Sequence, residues 1–290
     1  MARRFGPGRP SLYMAGMSRP FIKMNGLGND FVVVDARTLP FTPTPEEVRA
    51  IASRDGGVGC DQLIAIEPYE RADAFMRIWN ADGGEVEACG NAARCVAWLL
   101  TEGTSFDKVV IETLAGELFA ERVGPMQVRV DMGAPKLDWR DIPLSEAMDT
   151  RGIELQVGPI DNPVLHTPGC VSMGNPHVVF FVPDAESAPV AQVGPMIEHH
   201  HLFPERANVG FAEIRQRDLI RLKVWERGAG LTKACGTGAC AAVVAASRRG
   251  LSERRATVQL DGGDLDIDWT REGPVLMTGP IELEFRGELP

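Results

Sequence analysis

Two segments, EACGNAARCVAWLL (residues 87–100) and KACGTGACAAVVAASRR (residues 233–249), each set an Ala-Cys-Gly step at the mouth of a helix of small residues. Cys89 and Cys235 stand 146 positions apart, and the interval recurs along the chain. Asn29 and Asn175 keep it in GLGNDFVVV and SMGNPHVVF; Gln62 and Asn208 keep it ahead of hydrophobic strands; Asn80 and Glu226 keep it in RIWN and KVWE. Four polar pairs in one register, without a gap, indicate an internal duplication. A duplication that brings one thiol from each copy to a shared seam suits chemistry needing two opposed, equivalent groups.

Outward from these segments, the strand and helix signals repeat. The first copy reads as a strand at residues 31–34 and a helix near Thr44-Pro45-Glu46, with Thr44 as cap and Pro45 in the first turn. Strands follow at residues 63–66 and 75–79, then the loop 81–87, the Cys89 helix, and short alternating strands at 111–113, 117–121 and 128–132. The second copy replays the plan with a strand at 171–182, strands at 209–214 and 219–225, the Cys235 helix, and strands at 256–260, 265–269 and 275–277. The expected fold is α+β: two pseudo-symmetric domains, each a mostly antiparallel sheet wrapped around a central helix. The expected boundaries are a disordered extension at 1–19, one domain at 20–134 plus 279–290, and the other at 135–278.

Composition narrows the class. With 290 residues, 44% hydrophobic and 24% charged, the chain can bury a core of two ordinary domains. A net charge of −10 speaks against nucleic acid as a partner, and no apolar run approaches the ~18 residues of a membrane span. Residues 1–19 carry four arginines and no acid but lack an apolar core of signal-peptide type, so they read as a disordered extension, with Met17 a candidate true start. Six dispersed cysteines without a C-x-x-C resemble neither a secreted disulfide framework nor a zinc site, and free thiols suit the cytoplasm.

A helix N-terminus offers free N–H groups to an anion, and its field favours a thiolate over a thiol. From this field alone the Cys89 and Cys235 thiols are expected below the usual value of about 8.5. Two thiols across one carbon can invert it: a thiolate removes the proton from one face while a thiol returns one to the other.

The strings FIKMNGLGNDFVVVD, GVGCDQLI, NADGGEVEACGNAARCVA, VSMGNPHVV, ERANVGFAEI and WERGAGLTKACGTGACAA together closely resemble the diaminopimelate epimerase family, in order from about residue 21 onward. The resemblance implies that family's fold, a cofactor-independent epimerase of LL- and meso-diaminopimelate in lysine and peptidoglycan precursor biosynthesis, and a homodimer. It places the acid/base pair on Cys89 and Cys235, and the helix starts that hold the α-carboxylate on Gly90, Asn91, Gly236 and Thr237. Substrate contacts fall on Asn29, Gln62, Asn80, Asn175, Asn208, Glu226 and Arg227, and tuning of the cysteine pKa values on His177 and Glu226. Asn25 and Ala92 depart from the residues most common in the family, histidine and glycine.

Other readings fit the residues less well. A proline racemase-like enzyme would share the thiols but not the amides and arginine suited to a distal amino-acid end. A redox protein would need closer cysteines than Cys89/Cys95 or Cys235/Cys240, and a cysteine hydrolase using His177 has no use for a second thiol. Cys60, Cys95, Cys170 and Cys240 read as buried small hydrophobes, Trp79 and Trp225 as core, and Lys233 as a solvated loop residue.

Overall fold

The computed structural model describes residues 18–289. The first half runs β1 (Arg19–Gly26), β2 (Asn29–Asp35), α1 (Pro45–Ala52), β3 (Gln62–Glu67), β4 (Ala74–Asn80), β5 (Glu85–Val86), α2 (Gly90–Thr101), β6 (Lys108–Thr113), β7 (Gly116–Gly124) and β8 (Gln127–Asp131). A small pair follows, β9 (Gln156–Val157) and β10 (Leu165–His166). The second half repeats the order with β11 (Gly169–Ser172), β12 (Pro176–Phe181), α3 (Val190–Glu198), β13 (Asn208–Gln216), β14 (Leu219–Glu226), β15 (Gly230–Thr232), α4 (Gly236–Arg248), β16 (Arg255–Leu260), β17 (Gly263–Trp269) and β18 (Val275–Pro280). The last strand is β19 (Glu282–Leu289).

Pairing within each half is mostly antiparallel, with two parallel joints apiece. In the first half these are β2–β3 and β4–β6; in the second, β12–β13 and β14–β16. The halves meet along the antiparallel pair β8–β18, and β19 returns to pair with β1, matching Leu289 to Arg19.

The central strands are apolar on successive residues because both their faces are covered. On β2, Phe31 and Val33 face α2, whereas Val32 and Val34 pack with Val48 and Ala52 of α1. The second half matches this, with Val179 in the core around α4 and Val178 and Phe180 in the one beside α3. Alanines 239, 241, 242, 245 and 246 of α4 are all buried, so its small side chains let the sheet close around it. Thr44 caps α1 in a reciprocal bond with Glu47, and Pro45 is its first residue.

Three local expectations change. The first half begins a strand earlier than its hydrophobic pattern suggests: β1 and β2 form a hairpin turning at Leu27 and Gly28, both with positive φ. The run 171–182 is likewise a hairpin, β11–β12, turning at Gly174 with φ of 92°. Arg19, read as part of the extension, belongs to β1; its guanidinium donates to Leu39 O and Pro40 O and lies 4.9 Å over the Phe41 ring. Residues 1–17 of that extension lie outside the described residues. Among the described residues no helix is long and apolar enough to cross a membrane.

The β1–β2 turn also ties the halves together. Leu27 holds a left-handed backbone, φ 59°, unfavourable for a side chain of its size, while that side chain is buried in the core of the second half. Gly262 makes this possible, since a Cβ there would lie 2.0 Å from Leu27 O. Gly262→Ala is therefore expected to lower unfolding free energy by about 2 kcal/mol or more in urea denaturation, because backbone on both sides must yield. An unchanged midpoint would show that the turn is not clamped.

Candidate active site

Each half delivers one thiol at the start of its enclosed helix. Cys89 and Cys235 are the N-caps of α2 and α4, with extended backbone at φ −147° and −125°. In such a cap the side chain projects toward the free N–H groups of the first turn. Gly238 N–H donates to Cys235 Sγ at 3.3 Å, and Thr237 Oγ1 lies 3.6 Å from it. Cys89 Sγ has Asn29 Oδ1 at 3.9 Å.

The glycine after each cysteine has a packing cause as well as a ligand-facing one. A Cβ on Gly90 would lie 3.1 Å from Met277 Cε and 3.2 Å from Met132 Cε. One on Gly236 would lie 2.9 Å from Met277 Sδ. Both helix starts thus converge on one buried methionine, and only residues without side chains let them approach it. Gly236→Ala is expected to cost about 1–3 kcal/mol by overpacking, read by denaturant unfolding, and to lower turnover with it. Wild-type stability and turnover would show that the helix starts have room to spare.

Both thiols open on one cleft of about 960 Å³ between the halves. Asn29, Gln62, Asn80, Gly90, Asn91, Asn175, Glu226, Arg227, Gly236 and Thr237 share its walls. Gln62 Nε2 donates to Asn80 Oδ1 at 3.0 Å, which leaves its buried Oε1 unpartnered, as is Asn91 Oδ1. Arg227 anchors one guanidinium nitrogen on Glu205 O.

Two expected residues stand behind this wall rather than in it. Asn208 is buried and spent on backbone, donating to Pro176 O and accepting from Arg227 N–H. His177 is buried with Nε2 3.0 Å from Asn175 Oδ1, and Asn175 in turn reaches Thr237 Oγ1 at 3.4 Å. Through Asn175 and Thr237, His177 is thus linked to the Cys235 thiol. Glu226 is closer: it shares the cleft wall with Cys235, its carboxylate acts on that thiol, and it accepts from the Thr232 hydroxyl.

The electrostatics correct the expectation drawn from helix fields alone. Burial raises the Cys89 thiol, against the opposing pull of the Ala92 and Asn91 N–H groups and Arg94, and the Glu226 carboxylate adds a smaller push upward. Burial raises Cys235 further, and the neighbouring Glu226 carboxylate adds to it. Desolvation outweighs the helix ends, because these sulfurs lie where a charge has little water to polarise. Burial also raises Glu226 above an ordinary carboxyl, and the Thr232 hydroxyl only partly offsets this.

His177 is lowered to about 3, by burial and then by Arg227, from 6.5 when free. It is therefore neutral in the folded protein, whereas the unfolded chain takes up its proton below pH 6.5. Its contribution is intact above that value and is lost as pH falls toward 3. Relative to a His177→Gln variant, the wild type is expected to lose up to about 1.4 kcal/mol per pH unit across this window in urea titrations. Parallel curves for the two proteins would refute it.

The sequence reading missed a polar shoulder of the cleft formed by Asp30, Arg54 and Asp61. Arg54 bridges both carboxylates, and Lys23 bonds Asp30. Burial works to raise Asp30, but Arg54 and Lys23 hold it well below the carboxylate range. Asp61 accepts from Asn29 Nδ2 at 2.8 Å, which turns the Asn29 carbonyl toward Cys89. These residues lie next to Asn29 and Gln62, and only their adjacency hints at their place. Lys233, read as solvated, is exposed and also lines the cleft. Cys60, Cys95, Cys170 and Cys240 are buried away from it.

This fold, two like halves around a shared cleft, is that of a class of two-domain proteins that includes isomerases. A hydroxyproline epimerase from Agrobacterium vitis superposes with a TM-score of 0.64 at 14% identity, covering 94% of this chain and 91% of its own. A PhzF-family phenazine biosynthesis protein from Enterococcus faecalis gives 0.68 at 14% identity, covering 94% and 100%. Within that class, the chain belongs to the diaminopimelate epimerase family, whose sequence model matches residues 21–137 and 169–284. The unmatched stretch between them holds the β9–β10 pair. The diaminopimelate epimerase of Phenylobacterium zucineum is 62% identical over 276 residues, covering 95% of this chain and 99% of that protein.

Proposed function

We propose that this protein is a cofactor-independent epimerase that interconverts LL- and meso-2,6-diaminopimelate through a two-base exchange at Cys89 and Cys235. The observation that carries this reading is the arrival of two N-cap thiols, one from each half, on a single cleft. Family membership and the close relatives that bear the enzyme's name support the substrate.

The chemistry follows from the groups at hand. A substrate α-carboxylate would take the N–H groups of Gly90, Asn91, Gly236 and Thr237, at the positive ends of α2 and α4. Negative charge developing on the α-carbon spreads into that carboxylate, where the same dipoles stabilise it. One sulfur, as thiolate, takes the α-proton from one face; the opposite thiol gives its proton to the other. The stereocentre is inverted and the sulfurs exchange roles. Gln62 Oε1 and Asn91 Oδ1, both unpartnered, are acceptors for ammonium N–H donors. Arg227, with Asn80 and Asn175, offers the distal end a charged fork and amides. A shorter amino acid would leave such groups unpaired, at about 1–3 kcal/mol each. A homodimer, as the resemblance implies, and a cytoplasmic setting that keeps six cysteines free complete the reading.

Incubated in deuterated water without added cofactor, the protein is expected to place solvent deuterium on the α-carbon of diaminopimelate and to leave proline and lysine unlabelled. Cys89→Ala and Cys235→Ala should each lower epimerisation by about 10²-fold or more. Full activity in either variant would remove the two-base assignment, and turnover of proline in place of diaminopimelate would remove the substrate.

A further inference from the structure

One charged group near the thiols has no role so far. Arg94, on α2 just past Cys89, is completely buried and among the largest fully buried side chains. Its Nη1 lies 3.7 Å from Met277 Sδ, while Nε and Nη2 have no hydrogen-bond partner. Among the described residues it forms no ion pair with a carboxylate. The guanidinium is wedged between strands that leave it space: Nη2 is 3.4 Å from where a Cβ on Gly26 would lie, and Nε 3.2 Å from one on Gly279. Met277, which it touches, is the methionine on which Gly90 and Gly236 converge.

An unpaired buried cation is destabilising, and arginine does not escape by losing its proton. The ionisable groups around Arg94 are Cys89 and Cys95 of its own helix and Cys240 of α4. The strand residues that pack on it (Gly26, Met277 and Gly279) carry none. Burial pushes Cys95 and Cys240 up to about 12, so both stay neutral. Cys89 is the neighbour that opens on the cleft and can supply a counter-charge.

The duplication makes this arrangement one-sided. At the 146-residue interval, Arg94 corresponds to Cys240 and Glu226 to Asn80. The cation thus belongs to the Cys89 half, and the carboxylate to the Cys235 half.

We propose, on the two-base reading above, that Arg94 is a positioning residue whose buried charge makes Cys89 the first of the two sulfurs to ionise, while Glu226 keeps Cys235 a thiol. When Cys89 ionises, its proton passes to water in the cleft, and the thiolate left behind neutralises the guanidinium. The pair then stands as one base and one acid, the state from which an inversion can start.

Iodoacetamide alkylation of the full-length protein across about pH 6–10, with each cysteine followed by peptide mass spectrometry, tests this without substrate. In the wild type, Cys89 is expected to react at lower pH than Cys235. In Arg94→Met the Cys89 profile should move up by about one pH unit, a tenfold slower reaction below the midpoint, with the Cys235 profile in place. Arg94→Lys should recover most of the shift, and the acid limb of kcat/KM should move with Cys89. An unmoved Cys89 profile in folded Arg94→Met, or equal shifts of both cysteines, would overturn the proposal. If Arg94→Met does not fold, the wild type and Glu226→Gln decide: Cys235 reacting ahead of Cys89 in the wild type, or a Cys235 profile that does not fall in Glu226→Gln, would overturn it. If the profiles behave as expected but diaminopimelate is not epimerised, the functional reading fails and the role of Arg94 stands.

Discussion

The close approach of two helix N-termini governs this molecule. Gly90 and Gly236 both rest against Met277, and that contact fixes where the adjacent cysteines point. A helix end enclosed by sheet leaves N–H groups in need of partners, which makes the seam between the halves receptive to an anion. The rest of the architecture serves this approach. Small residues let the sheets close around α4, the β8–β18 pair holds the halves side by side, and the Leu27 turn is lodged in the opposite core.

Enclosure has an electrostatic consequence that opposes the helix ends. The same packing that excludes water raises both thiols. Reactivity then depends on which fixed charges share the low-dielectric region with each sulfur. Pseudo-symmetry supplies matching geometry, and residues that break it supply the difference: Arg94 on one side, Glu226 on the other. Two bases of equal strength would compete for one proton, whereas unequal surroundings give the empty cleft a defined starting state.

Much of this was legible in the sequence because it is local or repeated. The interval shared by Asn29/Asn175, Gln62/Asn208, Asn80/Glu226 and Cys89/Cys235 announced two like halves, and Thr44-Pro45 announced the start of α1. What escaped depends on distant partners. The strand β1 pairs on one side with β2 and on the other with the distant β19, so its sequence surroundings show only half of its setting. Asn208 sits in register with Gln62, yet its amide is taken up by the Pro176 and Arg227 backbone, a contact that no spacing reveals. Arg94 has the look of an ordinary helix arginine until the strands of both halves are folded over it. The thiols were misjudged for the same reason: a helix start can be read from letters, while the depth at which it is buried cannot.

The return of β19 to β1 has a further consequence for biosynthesis. As the chain emerges from the ribosome, the second half can assemble its strands in order, but the first exposes one side of β1 until residues 282–289 arrive. An open strand edge is a template for pairing with other chains. The first half to be made therefore keeps an open edge until β19 has formed, and its outermost strand is most vulnerable to misassociation in that interval.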